Sequence, residues 1–263
     1  MPVFDTPDPI TTRIDVAAGN ARVSATRRTT TEVDVRPANP KKAGDVEAAQ
    51  QTRVEFADGR LLISTPRKLR LALFGPSAVV DIDVRLPEGS ELHADSGFGN
   101  VDCEGRLGDV RVTSKAGDVR IDRAGTVTAR SSAGDVEVRE AHGSVDAGTA
   151  YGQVRVGSAR GDVRLDSSSG DIWVDRASGS VHATTKYGQV RVTEAVRGEL
   201  VLETSYGTVE AGVREGTAAW LDLQASAGRV RNLLDAADGP DDAVEIVEIH
   251  ARTAYGDVVV RRA

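Results

Sequence analysis

Glycine recurs about every nine residues through the middle of this chain, and no other feature constrains the fold as much. The recurring positions are Gly99, Gly108, Gly117, Gly125, Gly134, Gly143, Gly152, Gly161, Gly170, Gly179, Gly188, Gly198, Gly207 and Gly216. Most of them open a pentad of the form Gly-polar-Val-polar-Val, such as GDVRI or GQVRV. Self-similarity at a short fixed period is typical of a solenoid, in which each repeat packs mainly against its neighbours.

The pentads predict strands that bury one face. The second and fourth residues after each glycine are apolar, as Val154 and Val156 are after Gly152, and period-two alternation of β-branched residues is typical of a half-buried strand. Alternate units carry a hydroxyl residue three positions before the glycine, at Ser96, Ser114, Ser131, Thr149, Ser167, Thr185, Thr204 and Thr253. The structural period is therefore about eighteen residues, with two strands per coil. We expect an all-β, parallel β-solenoid, right-handed by the usual rule for parallel crossovers, whose inward hydroxyls bond a neighbouring hydroxyl or a corner carbonyl.

The chain outside the regular array is predicted to complete the solenoid at its two ends. Residues 1–90 are strand-rich and are expected to cap and continue the solenoid, residues 91–232 to form the regular array, and residues 233–263 to form an inserted loop and a final coil. A short helix is expected within residues 40–51, with Asp45 as its N-cap. The final coil is expected to lie at the chain terminus, where Arg261 and Arg262 would protect its open edge.

Composition limits the partners and the compartment. The formal net charge of -7 argues against nucleic acid or an anionic membrane as the main partner, because both attract basic surfaces. The one cysteine, Cys103, falls in an inward register and cannot form an intrachain disulfide. The first residues have neither a basic segment nor an apolar one, and no run of about 18 apolar residues occurs. These features predict a cytoplasmic protein without membrane insertion.

Neither a metal site nor an active site is predicted. Asp follows the corner glycine in six units, but a calcium β-roll needs G-G-x-G-x-D-x-U-x and this repeat has one glycine per nine residues. We therefore expect these carboxylates to accept hydrogen bonds from turn amides. The histidines, at positions 93, 142, 182 and 250, are scattered and lack metal-ligand or triad spacing. No catalytic residue, metal or cofactor is assigned, and an enzyme is not expected.

Aromatic residues provide the first candidate for a binding surface. All four tyrosines, Tyr151, Tyr187, Tyr206 and Tyr255, immediately precede a glycine of one unit class, and Phe98 occupies the equivalent place. Stacked coils would align them as an interrupted aromatic ridge, with Tyr187 and Tyr206 adjacent and Tyr151 two coils from Tyr187. Two interpretations remain open. The rings either cover the bare glycine corners or form an interaction surface.

A second candidate is the outward row three residues after these corner glycines. Positively and negatively charged residues alternate along most of this row. Trp173 lies between Arg155 and Arg191, where cation–π stacking is expected. The row is interpreted as a solubilising surface that fixes register. A carbohydrate platform centred on Trp173 is the alternative.

Several segments together resemble a known family. The opening FDTPDPI, the segment QTRVEFADGRLLI, the GDVRI-type repeats and the closing ARTAYGDVVVRR are similar to a bacterial β-strand-repeat family of unknown function, often labelled "putative adhesin", with actinobacterial members of this length. The resemblance implies a β-solenoid and transfers no catalytic residue. Two functions follow as hypotheses. The first is a non-catalytic scaffold that binds a protein or its own copies, and the second is a cell-envelope adhesin or carbohydrate-binding protein.

Overall fold

The computed structural model of the protein describes residues 1–65, 78–234 and 245–263. Its described elements are one short helix and otherwise strands. The chain divides into two compact units, Met1–Gly134 and Asp135–Ala263. Both units consist mainly of parallel strands in two sheets, which confirms the predicted all-β solenoid.

The first unit holds twelve of the described strands and the helix. They are β1 (Val3–Asp5), β2 (Thr11–Ala18), β3 (Ala21–Thr26), β4 (Thr30–Pro37), α1 (Ala43–Gln51), β5 (Arg53–Ala57), β6 (Arg60–Ser64), β7 (Val80–Pro87), β8 (Glu91–Phe98), β9 (Val101–Arg106), β10 (Val110–Ala116), β11 (Val119–Ala124) and β12 (Val127–Ala133). One sheet has the order β1-β4-β7-β3-β9-β11 and the other β12-β10-β8-β2-β6-β5. The outermost pairings, β1 with β4, β4 with β7 and β5 with β6, are antiparallel.

The second unit consists of strands alone among its described elements. They are β13 (Val136–Ala141), β14 (Val145–Tyr151), β15 (Val154–Ala159), β16 (Val163–Ser169), β17 (Ile172–Ala177), β18 (Val181–Tyr187), β19 (Val190–Ala195), β20 (Gly198–Tyr206), β21 (Val209–Val213), β22 (Thr217–Ala227), β23 (Val230–Asn232), β24 (Glu245–Tyr255) and β25 (Val258–Arg262). One sheet has the order β13-β15-β17-β19-β21-β25-β23 and the other β22-β24-β20-β18-β16-β14.

Coil length and side-chain alternation follow the predicted pattern. From β8 to β21, each strand pairs with a strand of its own unit one coil away, so that Val154 aligns with Ile172 and Val181 aligns with Leu200. Along β15 the apolar Val154 and Val156 are fully buried, whereas Arg155 between them is exposed. The small inward side chains allow two sheets to pack closely over a thin core.

Glycine and the inward hydroxyls together define one corner of each coil. Gly170 has φ +150°, and a Cβ there would lie 1.8 Å from the carbonyl oxygen of Gly152, so no other residue fits without backbone movement. The inward hydroxyl of Thr185 donates to the carbonyl oxygen of Gly170 at 3.0 Å, and Thr204 bonds that of Gly188 at 2.9 Å. Of the two partners predicted for these hydroxyls, the corner carbonyl is the one found here.

The helix is present, but its predicted cap is wrong. α1 begins at Ala43 with Lys42 at the N-cap, and no side chain caps it. Asp45 lies in the first turn instead, almost fully buried, where its carboxylate accepts hydrogen bonds from the amides of Asn39 at 3.2 Å and Val79 at 3.0 Å. The carboxylate therefore links the loop before α1 to the start of β7, and a negative charge in the first turn also suits the helix dipole.

The position predicted for the last coil is also wrong. The coil formed by β24 and β25 lies between β20–β21 and β22–β23, so the edge strands at this end are β22 and β23. Arg261 and Arg262 accordingly bond neighbouring residues, Arg261 with Glu210 at 2.8 Å and Arg262 with the carbonyl of Thr217 at 2.9 Å. The inserted loop predicted to begin at residue 233 falls largely on residues 235–244, outside the described residues. The division at residues 90 and 232, the role of α1 as a cap and the right-handed sense stay predictions.

Candidate functional site: a ladder of tyrosines

The position before the corner glycine forms one row across the second unit. In spatial order along the sheet the row is Tyr151, Ser169, Tyr187, Tyr206, Tyr255 and Ala227. We call this row the tyrosine ladder. Because β24 lies next to β20, Tyr255 stands beside Tyr206 although the two residues are far apart in sequence. Repeat spacing alone did not predict this neighbour.

Three rings of the ladder form a continuous stack. The ring centroids of Tyr187 and Tyr206 are 5.1 Å apart with an interplanar angle of 9°, and those of Tyr206 and Tyr255 are 4.9 Å apart at 4°. All three side chains remain exposed, at 58%, 48% and 57% respectively. Stacking at this spacing adds a favourable aromatic contact. It also leaves the ring edges and hydroxyls in contact with solvent.

The backbone beneath the stack fixes its spacing. The amide of Gly188 donates to the carbonyl of Tyr206 at 2.9 Å, and the amide of Gly207 donates to that of Tyr255 at 2.9 Å. Two residues before Tyr255, the inward hydroxyl of Thr253 bonds the carbonyl of Gly207 at 2.9 Å. Each of the three tyrosines is thus the last residue of a strand whose end is held by both main-chain and side-chain hydrogen bonds, and this presents the rings in a preorganised row.

Two aromatic residues of the predicted ridge do not join the stack. Tyr151 is 69% exposed and is separated from Tyr187 by the strand that carries Ser169. Phe98 belongs to the first unit, where its register neighbours are Ala18 and Ala116. It is half exposed, at 49%.

Trp173 lies on the other sheet and does not belong to the ladder. The guanidinium carbon of Arg155 lies 5.8 Å from the centroid of its ring, which is the predicted cation–π contact. Arg155 also bonds Asp175 at 3.0 Å, while Arg191 on the following strand forms an ion pair with Glu210 at 2.8 Å. The arginines beside this indole are therefore engaged in contacts along the sheet, as expected of a row that fixes register.

The corner aspartates have the structural role that was predicted for them. The carboxylate of Asp171 accepts a hydrogen bond from the amide of Gln189 at 2.8 Å, and Asp162 accepts one from Ser180 at 3.0 Å. Each carboxylate thereby joins its own coil to the next one. Among the described residues, no group of three or more His, Cys, Asp or Glu side chains is placed to hold a metal ion.

His250 has partners that sequence spacing did not suggest. It lies on β24, where Nδ1 is 3.4 Å from Asp222 and Nε2 is 3.0 Å from Glu248. The hydrogen bond to Asp222, with a further one to Glu248, raises the pKa of His250 above its ordinary value, although burial acts in the opposite direction. Asp222 also bonds Arg252 at 3.2 Å, so the group is a network of ion pairs on the sheet surface.

Cys103 is a core residue. Its side chain is buried in the inward register that was predicted. Burial, together with the charge of Asp102, raises the pKa of the Cys103 thiol to about 12. The thiol is therefore protonated at neutral pH and is a poor nucleophile.

Comparison with known proteins identifies the family. Residues 11–239 match the model of the family described as Toastrack DUF4097. A search of the curated proteins finds no relative. Solved structures do resemble the chain. One, described as a putative adhesin from Bacteroides fragilis, has 14% identity and a TM-score of 0.51 over 99% of this chain and 96% of its own.

A second solved structure, described as a putative lipid binding protein from Parabacteroides distasonis, has 13% identity and a TM-score of 0.41 over 100% of this chain and 95% of its own. At 14% identity, the similarity to the Bacteroides fragilis structure shows a shared fold alone. In the described part of the chain no helix could span a membrane, since the one helix has nine residues. The family match covers most of the chain, and the structure has the two-sheet coil that the repeat predicts. The chain therefore belongs to the Toastrack DUF4097 family.

Proposed function

We propose that this protein is a non-catalytic interaction module whose tyrosine ladder binds a partner protein. The observation that carries the proposal is the stack of Tyr187, Tyr206 and Tyr255, three large rings that remain about half exposed. Tyrosine is enriched at protein interfaces because it offers a large contact area and a hydroxyl group for few rotatable bonds. A row of three on one rigid edge is a surface of this kind.

The rigidity of the stacked rings is a second reason to expect binding at this surface. Each ring is restrained by its neighbour, so a partner would lose less side-chain entropy on contact than it would with three independent tyrosines. The outward rows on the sheets instead carry charged residues paired along the sheet, such as Arg176 with Glu194 at 3.4 Å. Exposed ion pairs of this type contribute little to affinity. The ladder is therefore the better anchor.

A protein partner suits this surface better than a carbohydrate. Sugars pack against open aromatic faces, and both faces of Tyr206 are covered by its neighbours. One face of Trp173 is approached by Arg155, and the indole is only partly accessible. The adhesin named among the structural neighbours is similar in fold alone. The cytoplasmic location predicted from the sequence belongs to the same proposal, and fractionation of the bacterial host tests it.

The proposal is tested by removing the stacked rings together. We would replace Tyr187, Tyr206 and Tyr255 with Ser and compare the variant with Phe98→Ser, which removes one half-exposed ring from the same type of corner in the first unit. A partner is captured from the host with the wild-type protein, and its affinity for each variant is then measured by calorimetry. The triple variant should bind at least tenfold more weakly, whereas Phe98→Ser should bind as the wild type does.

The same series distinguishes binding from corner packing. If the triple variant melts at a lower temperature but retains the affinity for the partner and the oligomer size, the rings only cover the glycine corners and the proposal is wrong. Light scattering of both variants also reports self-association. A dimer that dissociates only in the triple variant would identify the partner as a second copy of the chain.

A further inference from the structure

Ser169 interrupts the ladder at one position. On β14 its register partner is Tyr151, and on β18 it is Tyr187. Ser169 is exposed, and its side chain is much shorter than a phenol ring. One step of the ladder therefore has a tyrosine on both sides and no ring of its own. We call the space between Tyr151 and Tyr187, above Ser169, the ring slot.

Main-chain hydrogen bonds fix the width of the ring slot. The amide of Gly152 donates to the carbonyl of Ser169 at 3.0 Å, and the amide of Gly170 donates to that of Tyr187 at 2.8 Å. The strand spacing is therefore the same on both sides of Ser169, and Tyr151 and Tyr187 are two strands apart, roughly 10 Å. A ring midway would lie about 5 Å from each tyrosine, close to the 5.1 Å and 4.9 Å found within the stack.

The walls of the slot are free to stack. Tyr206 covers one face of Tyr187, so the opposite face is directed toward the strand of Ser169. Tyr151 is more exposed than any ring in the stack, at 69% compared with 48% for Tyr206. Both walls thus present apolar ring surface to solvent, and an inserted ring would bury it while adding two aromatic contacts.

We propose that the ring slot receives one aromatic side chain of the partner protein, which completes a stack of five rings from Tyr151 to Tyr255. This inference rests on the proposed function, since it names the group that the ladder recognises. The side chains beside the slot, Gln153, Lys186 and Gln189, are exposed. Such long side chains are not held in fixed directions, so the slot selects for a flat apolar ring more than for the many hydroxyls of a sugar.

Filling the slot from within the chain tests the proposal. Ser169→Tyr places a ring in the slot, and Ala227→Tyr is its matched control, because it extends the same ladder beyond Tyr255 and leaves the slot open. Tyr151→Ser removes one wall. It keeps the test valid if the inserted tyrosine of Ser169→Tyr adopts another orientation.

The first measurement uses N-acetyltyrosinamide as a probe, with N-acetylleucinamide and methyl β-glucoside as comparisons. In amide NMR spectra, the tyrosine probe should shift the resonances of Ser169 and Gly170 in a saturable way, with a Kd on the order of millimolar. The shift should persist in Ala227→Tyr and disappear in Ser169→Tyr. In Tyr151→Ser the probe should bind about threefold to tenfold more weakly.

Three results would overturn the ring slot. They are equal shifts from the leucine probe, undiminished binding of the tyrosine probe in both Ser169→Tyr and Tyr151→Ser, and a saturable shift from the glucoside without one from the tyrosine probe. Measuring the affinity for the partner protein distinguishes a failure of the ring slot from a failure of the proposed function. Loss of binding in both the triple serine variant and Ser169→Tyr supports the slot, whereas loss in the triple variant alone leaves the ladder as the binding surface and rejects the slot.

Discussion

The second unit contains two kinds of coil, and they differ in how completely they are enclosed. From β14 to β21, consecutive coils in the chain are also neighbours in space, and inward residues such as Leu202 are fully buried. In β22 the corresponding inward residues Leu221 and Leu223 are only partly buried, and Trp220 is 63% exposed. Between these regions lies β24, whose inward Ile249 is fully buried. Enclosure thus depends on having a neighbour on both sides and not on order along the chain.

The edge coil also differs from the enclosed coils at the inward hydroxyl position. In β24 that position is Thr253, which bonds the corner carbonyl of Gly207 at 2.9 Å. Its register partner in β22 is Ala225, which has no hydroxyl to make the equivalent contact with the next corner. The edge strand β22 therefore lacks the side-chain hydrogen bond that joins β24 to its adjacent corner. Partly buried inward residues and the missing hydroxyl both agree with the place of β22 at the edge of its sheet.

The largest expected effect is the burial of a charge within an enclosed coil. Val154→Asp places a carboxylate in a fully buried position without a partner, and it should cost about 4 kcal/mol or more of the free energy of unfolding. Arg155→Ala, on the exposed side of the same strand, loses only the exposed contacts with Asp175 and Trp173 and should cost about 1 kcal/mol. Denaturant titration followed by circular dichroism measures both. An unchanged midpoint for Val154→Asp would contradict the two-sheet core.

A second pair of variants compares the interior coil with the edge coil directly. Leu221 and Ile249 are register partners on β22 and β24. Ile249→Ala should cost about 3 kcal/mol, because it leaves a cavity in a closed core. Leu221→Ala should cost only about 1 kcal/mol, since its side chain is partly exposed before the change. Equal losses in chemical denaturation would mean that β24 is not enclosed by two neighbours.

The regular part of the fold could be predicted because its information is local and repeated. Val154, Gly170 and Thr185 each recur at one place in the repeat, and each has a single structural reason to be there: a buried face, a backbone approach that excludes Cβ, and a corner carbonyl to satisfy. The row of tyrosines before the corner glycines followed from the same register. Their spacing predicted the neighbours Tyr187 and Tyr206.

The remaining features depend on contacts between segments that are distant in sequence. The neighbours Tyr206 and Tyr255, and the pair Asp222 and His250, exist only because β24 enters between β20 and β22. A nine-residue period carries no information about that order. Ala225 in place of the inward hydroxyl was the one local signal for it. Asp45 was misassigned for a similar reason, since one of its partners, Val79, lies 34 residues further along the chain, just before β7.

The carboxylate of Asp45, in the first turn of α1, should contribute less to the free energy of unfolding than the core residues do. Asp45→Ala leaves the amides of Asn39 and Val79 without their acceptor and should cost about 1–3 kcal/mol. Burial alone would raise the pKa of Asp45, but the hydrogen bond from Val79 and the contact with Lys42 lower it overall. Because the folded pKa is lowered, this stabilisation is present above the unfolded value and is lost as the pH falls through the folded value.

Melting curves of the wild type and Asp45→Ala between neutral and acidic pH measure this effect. The two melting temperatures should converge in acid, since protonation removes the charge that the wild type uses. Asp58→Asn is a suitable control, because Asp58 is an exposed turn residue of the same unit whose φ of 50° Asn also tolerates. A constant difference between wild type and Asp45→Ala down to the lowest pH at which both fold would contradict the assigned role of the charge.

The smallest effect concerns the hydrogen bonds that His250 makes on β24. The pKa of His250 is raised in the folded protein, so its contribution is fully present below the unfolded pKa of about 6.5 and is lost as the pH rises through the folded value. Because the ion pairs are partly exposed, the contribution should remain below about 1 kcal/mol.

His250→Asn should therefore melt slightly below the wild type near pH 5.5 and together with it at pH 8.5. His182→Asn, which changes an exposed histidine on β18, is the control. If it converges equally, the pH dependence does not arise from the contacts with Asp222 and Glu248, and the interior coil is held by its apolar stripe and corner hydrogen bonds alone.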